Sequence, residues 1–288
     1  MTGILNLDKP AGWTSHDAVA KLRRLLGERR IGHGGTLDPM ATGVLPVFVG
    51  RATRAVEFLE AADKEYEAGL RLGIVTDTQD TTGQVLEEHP GDVPEEALRA
   101  AILGLVGERD QLPPMYSAVK VGGKALYAYA RSGETVERKS RRITIYAAEP
   151  LGWVGEEYRF TVTCSKGTYI RTLCHELGAL LGCGGAMSSL RRLRAGPFRL
   201  EETVTLAQVE ERGADCLLPL DSLFRDRPAL TLDGELARRV RNGNDFPWEG
   251  EAGQYRLYGP EGEFLALAAL EAGRGKIIKS FFEVHDAR

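Results

Sequence analysis

Residues 32–43 restrict the possible fold of this chain more than any other segment. The run Gly-His-Gly-Gly-Thr-Leu-Asp-Pro-Met-Ala-Thr-Gly places four glycines within twelve residues, a composition that disfavours both helix and strand. Asp38 directly precedes Pro39, and a residue before proline is driven towards extended backbone angles. The segment therefore predicts a loop whose backbone can approach a ligand closely while it presents the Asp38 carboxylate.

The spacing of these glycines excludes two common phosphate-binding loops. A dinucleotide-binding Gly-x-Gly-x-x-Gly loop would need its third glycine where Leu37 stands. A Walker loop would need a following Gly-Lys-Ser/Thr, which is absent from the sequence here. On these residues alone, a structural turn and an active-site loop remain equally consistent with the segment.

Composition is that of a soluble globular protein, with 43% hydrophobic and 27% charged residues among 288. The N-terminus has no basic region followed by an apolar run, and no stretch is long enough to span a membrane. We therefore expect a cytoplasmic protein that does not associate with membranes. The four cysteines form no Cys-x-x-Cys pair, which indicates reduced thiols rather than disulfides or structural zinc.

Charge is unevenly distributed along the chain, although the net charge is only −4. Residues 131–200 contain twelve lysines and arginines against six acidic residues, whereas residues 76–110 contain nine acidic residues against two arginines. Such segregation predicts a basic face on an acidic protein, which suits phosphate binding. A solvated run of charges is the alternative interpretation.

Hydrophobic periodicity and turn residues predict an α+β fold with a mixed, largely antiparallel sheet flanked by helices. The predicted strands cover residues 3–7, 44–49, 65–72, 142–146 and 158–164, and the predicted helices cover 15–26, 52–61, 94–103, 124–131 and 168–181. After a composition shift near residues 218–228, strand-like runs over 254–258, 264–270 and 276–284 alternate with glycine-rich turns. We therefore expect a large domain over residues 1–222 and a small β-rich domain over 228–288.

Five ordered segments resemble motifs of the TruB family of tRNA pseudouridine synthases, and together the resemblance covers residues 3 to about 200. The segment 32–39 resembles the family's G-H-x-G-x-L-D-P signature. Residues 64–66, 71–73 and 76–78 resemble its second motif, and residues 120–131 resemble its K-x-x-G…Y-x-x-A-R segment. Residues 164–173 resemble its C-S-x-G-T-Y-I-R-x-L motif, and Leu190-Arg191-Arg192 resembles its later L-R-R.

This resemblance implies conversion of uridine to pseudouridine at uridine-55 of the tRNA T loop, with no cofactor. It implies that Asp38 is the catalytic carboxylate, as a nucleophile or as a base. A carboxylate in a closed site needs a cation to remain ionised, and Arg171 could hold Asp38 with its planar fork. Tyr66 would stack on the flipped uracil and Tyr169 would pack on the nucleoside.

Further residues are expected to bind the RNA. The resemblance assigns His33 to the gap left by the flipped base and Leu190 to the uracil pocket. The candidates for phosphate contacts are Arg138, Lys139, Arg141, Arg142, Lys166, Arg191, Arg192 and Arg194. The C-terminal segment resembles the family's PUA-like RNA-binding domain, and the expected partner is the T-arm stem-loop of tRNA without an obligatory protein partner.

Two other functions remain open on the residues alone. A non-catalytic RNA-binding or RNA-chaperone protein could use the same basic face and tyrosines. A metal-dependent hydrolase could be built on Asp38 and His33, although His175-Glu176 has no third ligand at helical spacing. Without its motif, Tyr66 would be a core residue, and Arg171 would be a surface charge on an amphipathic helix.

Overall fold

The structure is a computed structural model, and it describes residues 1–282. Its helices are α1 (Ser15–Leu26), α2 (Val56–Glu60), α3 (Glu95–Leu103), α4 (Leu126–Ala130), α5 (Ile170–Leu180), α6 (Leu206–Arg212) and α7 (Gly234–Arg241). Its 3-10 segments are Gly50–Ala55, Leu200–Glu202, Gly213–Cys216 and Leu220–Phe224.

Strands make up most of the framework. They are β1 (Gly3–Lys9), β2 (Ile31–His33), β3 (Thr42–Val49), β4 (Lys64–Leu72), β5 (Ile74–Thr76), β6 (Val85–Glu88), β7 (Gly107–Gln111), β8 (Lys120–Val121), β9 (Lys124–Ala125), β10 (Arg141–Val154), β11 (Glu157–Cys164), β12 (Gly185–Ala195), β13 (Phe198–Arg199), β14 (Ala229–Thr231), β15 (Gly253–Tyr258), β16 (Phe264–Glu271) and β17 (Arg274–Ser280).

A nine-stranded sheet in the order β1-β3-β12-β4-β11-β10-β7 forms the large part of the molecule, with β2 and β13 paired at its side. All its pairings are antiparallel except that of β12 with β3. Helices flank the sheet, so the predicted α+β fold with a mixed, largely antiparallel sheet is confirmed. The strand over 65–72 also alternates as predicted, because Tyr66, Ala68, Leu70 and Leu72 are buried.

The glycine-rich segment joins β2 to β3 and is fastened to the start of α1. The Leu37 amide donates to Ser15 Oγ at 2.9 Å, and Ser15 Oγ donates to the Leu37 carbonyl at 3.2 Å. The Leu37 side chain is itself buried. The residue that follows it, Asp38, is therefore held between a buried anchor and a proline.

Helix α5 lies directly against the central strand β12 through a contact between glycines. A Cβ atom placed on Gly178 would lie 2.1 Å from the Gly185 amide nitrogen, a separation that backbone atoms cannot relieve by a rotamer change. This close packing fixes the helix whose first turn carries Arg171.

Three predicted elements differ from those observed. The helix predicted over 52–61 is a 3-10 segment followed by the short α2, and the Thr53 hydroxyl donates to the Gly50 carbonyl within it. The helix predicted over 124–131 is shortened, because Gly122 and Gly123 turn the chain into the hairpin of β8 and β9. The strand predicted over 142–146 extends to residue 154, since a register shift after Pro150 accommodates the proline.

A separate four-stranded sheet, β14-β15-β16-β17, follows residue 228. Its core is its own, but Leu267 and Phe281 also pack with Ile4, Phe48 and Phe224 of the large part. The three C-terminal strands that the sequence predicts are present, and residues 283 and 284 at the end of the last prediction lie outside the described residues. The C-terminal part of the described chain is therefore β-rich, as predicted, and it packs against the large part.

Candidate active site

Asp38 and Arg171 meet as a two-pronged ion pair. Arg171 Nε donates to Asp38 Oδ2 at 2.9 Å, and Arg171 Nη2 donates to Asp38 Oδ1 at 3.3 Å. The arginine side chain is 6% exposed, whereas the Asp38 side chain is 36% exposed. The cation is thus inside the protein and the carboxylate faces the solvent side, where a substrate can reach it.

Arg171 makes two further hydrogen bonds. Its Nη1 donates to the Thr78 carbonyl at 2.9 Å, and its Nη2 donates to the Tyr116 carbonyl at 2.8 Å. Asp80 Oδ2 lies 3.8 Å from Nε. A buried guanidinium with this many partners has little freedom to rotate, so it orients the Asp38 carboxylate.

Asp80 is a site residue that the sequence analysis missed. Its side chain is 7% exposed, and its Oδ1 accepts hydrogen bonds from Thr78 Oγ1, the Thr82 amide and Thr82 Oγ1. The available signal was its place two residues after the matched 76–78 motif. Arg171 therefore has two neighbouring carboxylates, the partly exposed Asp38 and the buried Asp80.

Tyr66 lies in β4 opposite Arg192 of β12. Burial raises the pKa of its hydroxyl above the ordinary value, the nearby Arg192 charge lowers it, and the Asp38 carboxylate is close enough to raise it further. The tyrosine ring is therefore a neutral, mostly apolar surface near the exposed carboxylate.

Leu190 and Arg192 project from β12 into the protein, with 8% and 1% exposed surface. Arg192 Nε donates to the Val44 carbonyl at 2.6 Å and its Nη2 to the Gly35 carbonyl at 3.1 Å. The structure therefore does not support Arg192 as a phosphate contact. The side chain instead binds the backbone on both sides of the Asp38 loop.

Arg191 and Arg194 are engaged on the sheet rather than free. Arg191 Nη2 donates to Asp8 Oδ2 at 2.9 Å, and Arg194 Nε donates to Glu65 Oε2 at 3.3 Å. Because successive residues of a strand point to opposite faces, Arg191 lies on the other face of β12 from Arg192. In both side chains, the nearby carboxylate already offsets part of the positive charge that a phosphate would bind.

His33 lies at the end of β2, half-buried, with its ring edge against His16 at a centroid distance of 5.5 Å. Its Nδ1 is buried and has no hydrogen-bond partner. Burial, reinforced by the neighbouring His16 and Arg192 charges, lowers the pKa of His33 to about 4. The imidazole is therefore neutral at physiological pH.

Tyr169 stands at the N-terminus of α5, two residues before Arg171. The buried side chain of Gln111 forms two hydrogen bonds with the backbone of Tyr169. The Tyr169 amide donates to Gln111 Oε1 at 2.8 Å, and Gln111 Nε2 donates to the Tyr169 carbonyl at 3.0 Å. The Arg141 guanidinium lies 5.6 Å from the centre of the tyrosine ring. Gln111 is a second supporting residue absent from the sequence-based site.

A basic cleft of about 780 Å³ adjoins this tyrosine. Five of the eight predicted phosphate-binding residues line it, and Lys120 adds a further cation. The six cations of the basic cleft are Lys120, Arg138, Lys139, Arg141, Arg142 and Lys166. The predicted basic residues therefore form two groups. Five line this cleft, whereas Arg191, Arg192 and Arg194 lie on β12 and are bound to carboxylates or backbone carbonyls.

Lys9 is buried behind the loop that carries Asp38. Its ammonium donates to the carbonyls of Pro10, Trp13 and Pro39. Burial lowers its pKa to about 8, and the nearby Asp38 carboxylate opposes that shift. Lys9 joins the segment after β1 to the residue that follows Asp38.

Within residues 1–282, no group of three or more His, Cys, Asp or Glu side chains is arranged to hold a metal ion. No helix in the described part of the chain is long and apolar enough to cross a membrane. All four cysteines are buried and unpaired.

Comparison with known proteins establishes the family. A model of the N-terminal domain of TruB family pseudouridylate synthases matches residues 23–170, and a model of the tRNA pseudouridylate synthase B C-terminal domain matches residues 171–225. The chain belongs to the TruB family. It is an isomerase that converts uridine to pseudouridine in tRNA.

Curated TruB relatives match over nearly the full length. The tRNA pseudouridine synthase B of Aromatoleum aromaticum is 47% identical over 280 residues, covering 96% of this chain and 90% of the relative. That of Geobacillus kaustophilus is 48% identical over 256 residues, covering 84% of this chain and 90% of the relative. This extent of identity to curated pseudouridine synthases removes the alternative of a non-catalytic RNA-binding protein.

Solved structures confirm the TruB-type architecture. The chain is similar, with a TM-score of 0.75 and 30% identity, to a protein in the crystal structure of a Cbf5–Nop10–Gar1 complex; the match covers 97% of this chain and 85% of that one. A chain from an H/ACA ribonucleoprotein bound to a substrate RNA containing 2′-deoxyuridine matches with the same TM-score and 28% identity, covering 98% and 85%.

We predict that His33→Asn makes the folded protein less sensitive to acid. An unfolded chain takes up a proton at His33 below about pH 6.5, whereas the folded protein does so only near its pKa of about 4. Stability is therefore lost as the pH falls through this window. The wild type should lose roughly 2 kcal/mol more than the variant, because each pKa unit corresponds to about 1.4 kcal/mol and the ring is partly exposed.

Urea unfolding at about pH 7 and about pH 4.5 measures this difference, provided that both proteins unfold in one transition. An equal loss of unfolding free energy in the two proteins would show that His33 does not resist protonation in the folded state.

Proposed function

We propose that this enzyme acts on uridine-55 in the T loop of tRNA and that Asp38 is its catalytic carboxylate. The observation that carries the proposal is the fork of Arg171 on Asp38, which leaves one oriented and partly exposed carboxylate beside a buried cation. Relatives named tRNA pseudouridine synthase B share nearly the whole chain, which supports tRNA as the substrate.

The reaction breaks the bond between N1 of uracil and C1′ of the ribose, turns the base, and joins C5 to C1′. The hydrogen leaves C5 as a proton, and N1 gains one, so no oxidant or reductant is needed. Asp38 would act at the sugar–base junction, as a nucleophile on carbon or as a base on a sugar proton. Arg171 would keep Asp38 ionised and aimed at this junction.

The uridine must leave its stack before the glycosidic bond is reached. The neutral ring of Tyr66 and the apolar Leu190 side chain would contact the extruded uracil, and Tyr169 would pack on the nucleoside. His33, neutral because its pKa is about 4, would fill the gap left in the RNA. Lys166 and the other cations of the basic cleft would bind the phosphates on either side.

We predict that wild-type protein releases tritium from tRNA labelled at C5 of uridine, in the presence of a chelator, and that Asp38→Asn does not. The substitution preserves volume and removes the charge and the basicity, and it leaves one acceptor oxygen instead of two for the Arg171 fork. Turnover should fall by about 10⁴-fold or more, while the tRNA dissociation constant changes by less than about threefold.

Sequencing of the product locates the modified nucleotide. Tritium release from a tRNA that carries cytidine at position 55 would contradict the assignment to uridine-55. Turnover by Asp38→Asn within about tenfold of wild type would show that Asp38 is not the catalytic residue. We propose further that the enzyme acts in the cytoplasm and without an obligatory protein partner. A requirement for an added protein in this assay would refute the second statement.

We also propose that residues 1–222 form the catalytic domain and residues 228–288 form a PUA-like RNA-binding domain. Arg239 donates to the Asp245 carbonyl, Arg241 pairs with Glu263, and Lys279 pairs with Glu57 of the large part. Deleting this domain would uncover the core around Phe224, so substitution of single charges is the better test.

We predict that Arg238→Gln combined with Lys276→Gln weakens tRNA binding and lowers its salt dependence by roughly one unit of slope per lost phosphate contact. Binding measured across a salt series tests this, with Lys279→Gln as the matched control, since Lys279 already pairs with Glu57. Wild-type slopes and affinities in the double variant would show that these two cations do not touch RNA.

A further inference from the structure

Among residues 1–282, Gln79 is the one non-glycine residue with a left-handed backbone, at φ 64°. This conformation brings a side chain too close to the following carbonyl, so residues other than glycine adopt it only where the surroundings compensate. Gln79 immediately precedes Asp80 and follows Thr78, both of which face Arg171. The strained residue therefore lies inside the turn that surrounds the guanidinium.

The side chain of Gln79 is tied to the helix that carries Arg171. Thr172 Oγ1 donates to Gln79 Oε1 at 2.8 Å, and the Thr172 side chain is buried. Thr172 is the immediate neighbour of Arg171 in α5. One hydrogen bond thus connects the turn that supplies Asp80 with the helix turn that supplies the guanidinium.

The left-handed residue also determines which groups of the turn face inwards. On one side of Gln79, the Thr78 carbonyl accepts from Arg171 Nη1 at 2.9 Å. On the other side, the Asp80 carboxylate approaches Arg171 Nε at 3.8 Å. Gln79 turns the chain between these two residues, so that a backbone oxygen and a side-chain carboxylate converge on the same cation.

We propose that the hydrogen bond between Gln79 and Thr172 is a positioning latch, which holds the turn over residues 76–82 in register with the Arg171 fork and so keeps Asp38 aligned for the reaction. Neither residue touches the reacting atoms. The latch rests on the proposed function, because its effect reaches the substrate through Arg171 and Asp38.

The turn has other fastenings that do not depend on the latch. Thr76 Oγ1 donates to the Asp80 carbonyl at 2.7 Å. The Thr81 amide donates to the Met187 carbonyl at 2.9 Å, and the Met187 amide donates to the Gln79 carbonyl at 3.0 Å. Loss of the latch should therefore leave the turn folded and the RNA-binding surface intact, and should alter the reaction rate.

The decisive pair of variants is Thr172→Val and Thr172→Ser. Valine keeps the β-branched shape but has no hydroxyl, while serine keeps the hydroxyl and loses the methyl group. With enzyme in excess over C5-tritiated tRNA, Thr172→Val should lower the single-turnover rate by about tenfold or more, because small misplacements of reacting groups have effects of this size. Thr172→Ser should stay within about threefold of wild type, and the tRNA dissociation constant should stay within about threefold in both.

Gln79→Gly provides a second, independent measurement. Glycine adopts the left-handed backbone without strain but has no side chain to meet Thr172. We expect the same slowing of the single-turnover rate, with a thermal unfolding midpoint within about 3 °C of wild type. A rate loss without a stability loss separates positioning from a merely structural role.

Three results would overturn the proposal. These are a Thr172→Val rate within about threefold of wild type, a rate loss in Thr172→Ser equal to that in Thr172→Val, or a Gln79→Gly rate equal to that of wild type. If Thr172→Val does not fold, the Gln79→Gly rate decides. Failure of the proposed function is a distinct result, since the wild-type protein itself would then release no tritium.

Discussion

The buried guanidinium of Arg171 is the group on which the rest of the site depends. A charge with 6% exposure is costly to bury unless its donors are satisfied, and here the partners come from distant parts of the chain. Asp38 lies in the glycine-rich loop, Thr78 and Asp80 in the turn after β5, and Tyr116 in the segment after β7. Satisfying one cation therefore assembles three loops into one site.

Packing and hydrogen bonds in the surrounding elements keep that cation in place. Contact between Gly178 and Gly185 sets α5 against β12, and the Gln111 amide holds Tyr169 at the start of the helix. Arg192 supports the Asp38 loop from β12 through the Gly35 and Val44 carbonyls. These contacts leave Asp38 as the partly exposed carboxylate beside a buried cation, which is the arrangement on which the proposed catalytic role of Asp38 rests.

Local patterns predicted the parts of the molecule that are locally determined. The loop around Asp38 follows from its glycines and proline, and β4 follows from its alternation. Strand β12 was not predicted, because Ser189, Arg191 and Arg194 interrupt its apolar pattern, and their partners Glu157, Asp8 and Glu65 lie far away in sequence. Asp80, the burial of Arg192 and the left-handed backbone of Gln79 could not be predicted for the same reason. Each depends on contacts between strands and turns that are distant in the sequence.

The most direct test of this account is the single-turnover rate of Arg171→Lys at saturating tRNA. Lysine keeps the positive charge but has no planar fork, so it can neither hold both Asp38 oxygens nor reach the Thr78 and Tyr116 carbonyls together. We expect a rate at least about 100-fold below that of wild type, with a tRNA dissociation constant within about threefold. A rate within about threefold of wild type would show that charge alone suffices and that the fork does not organise the site.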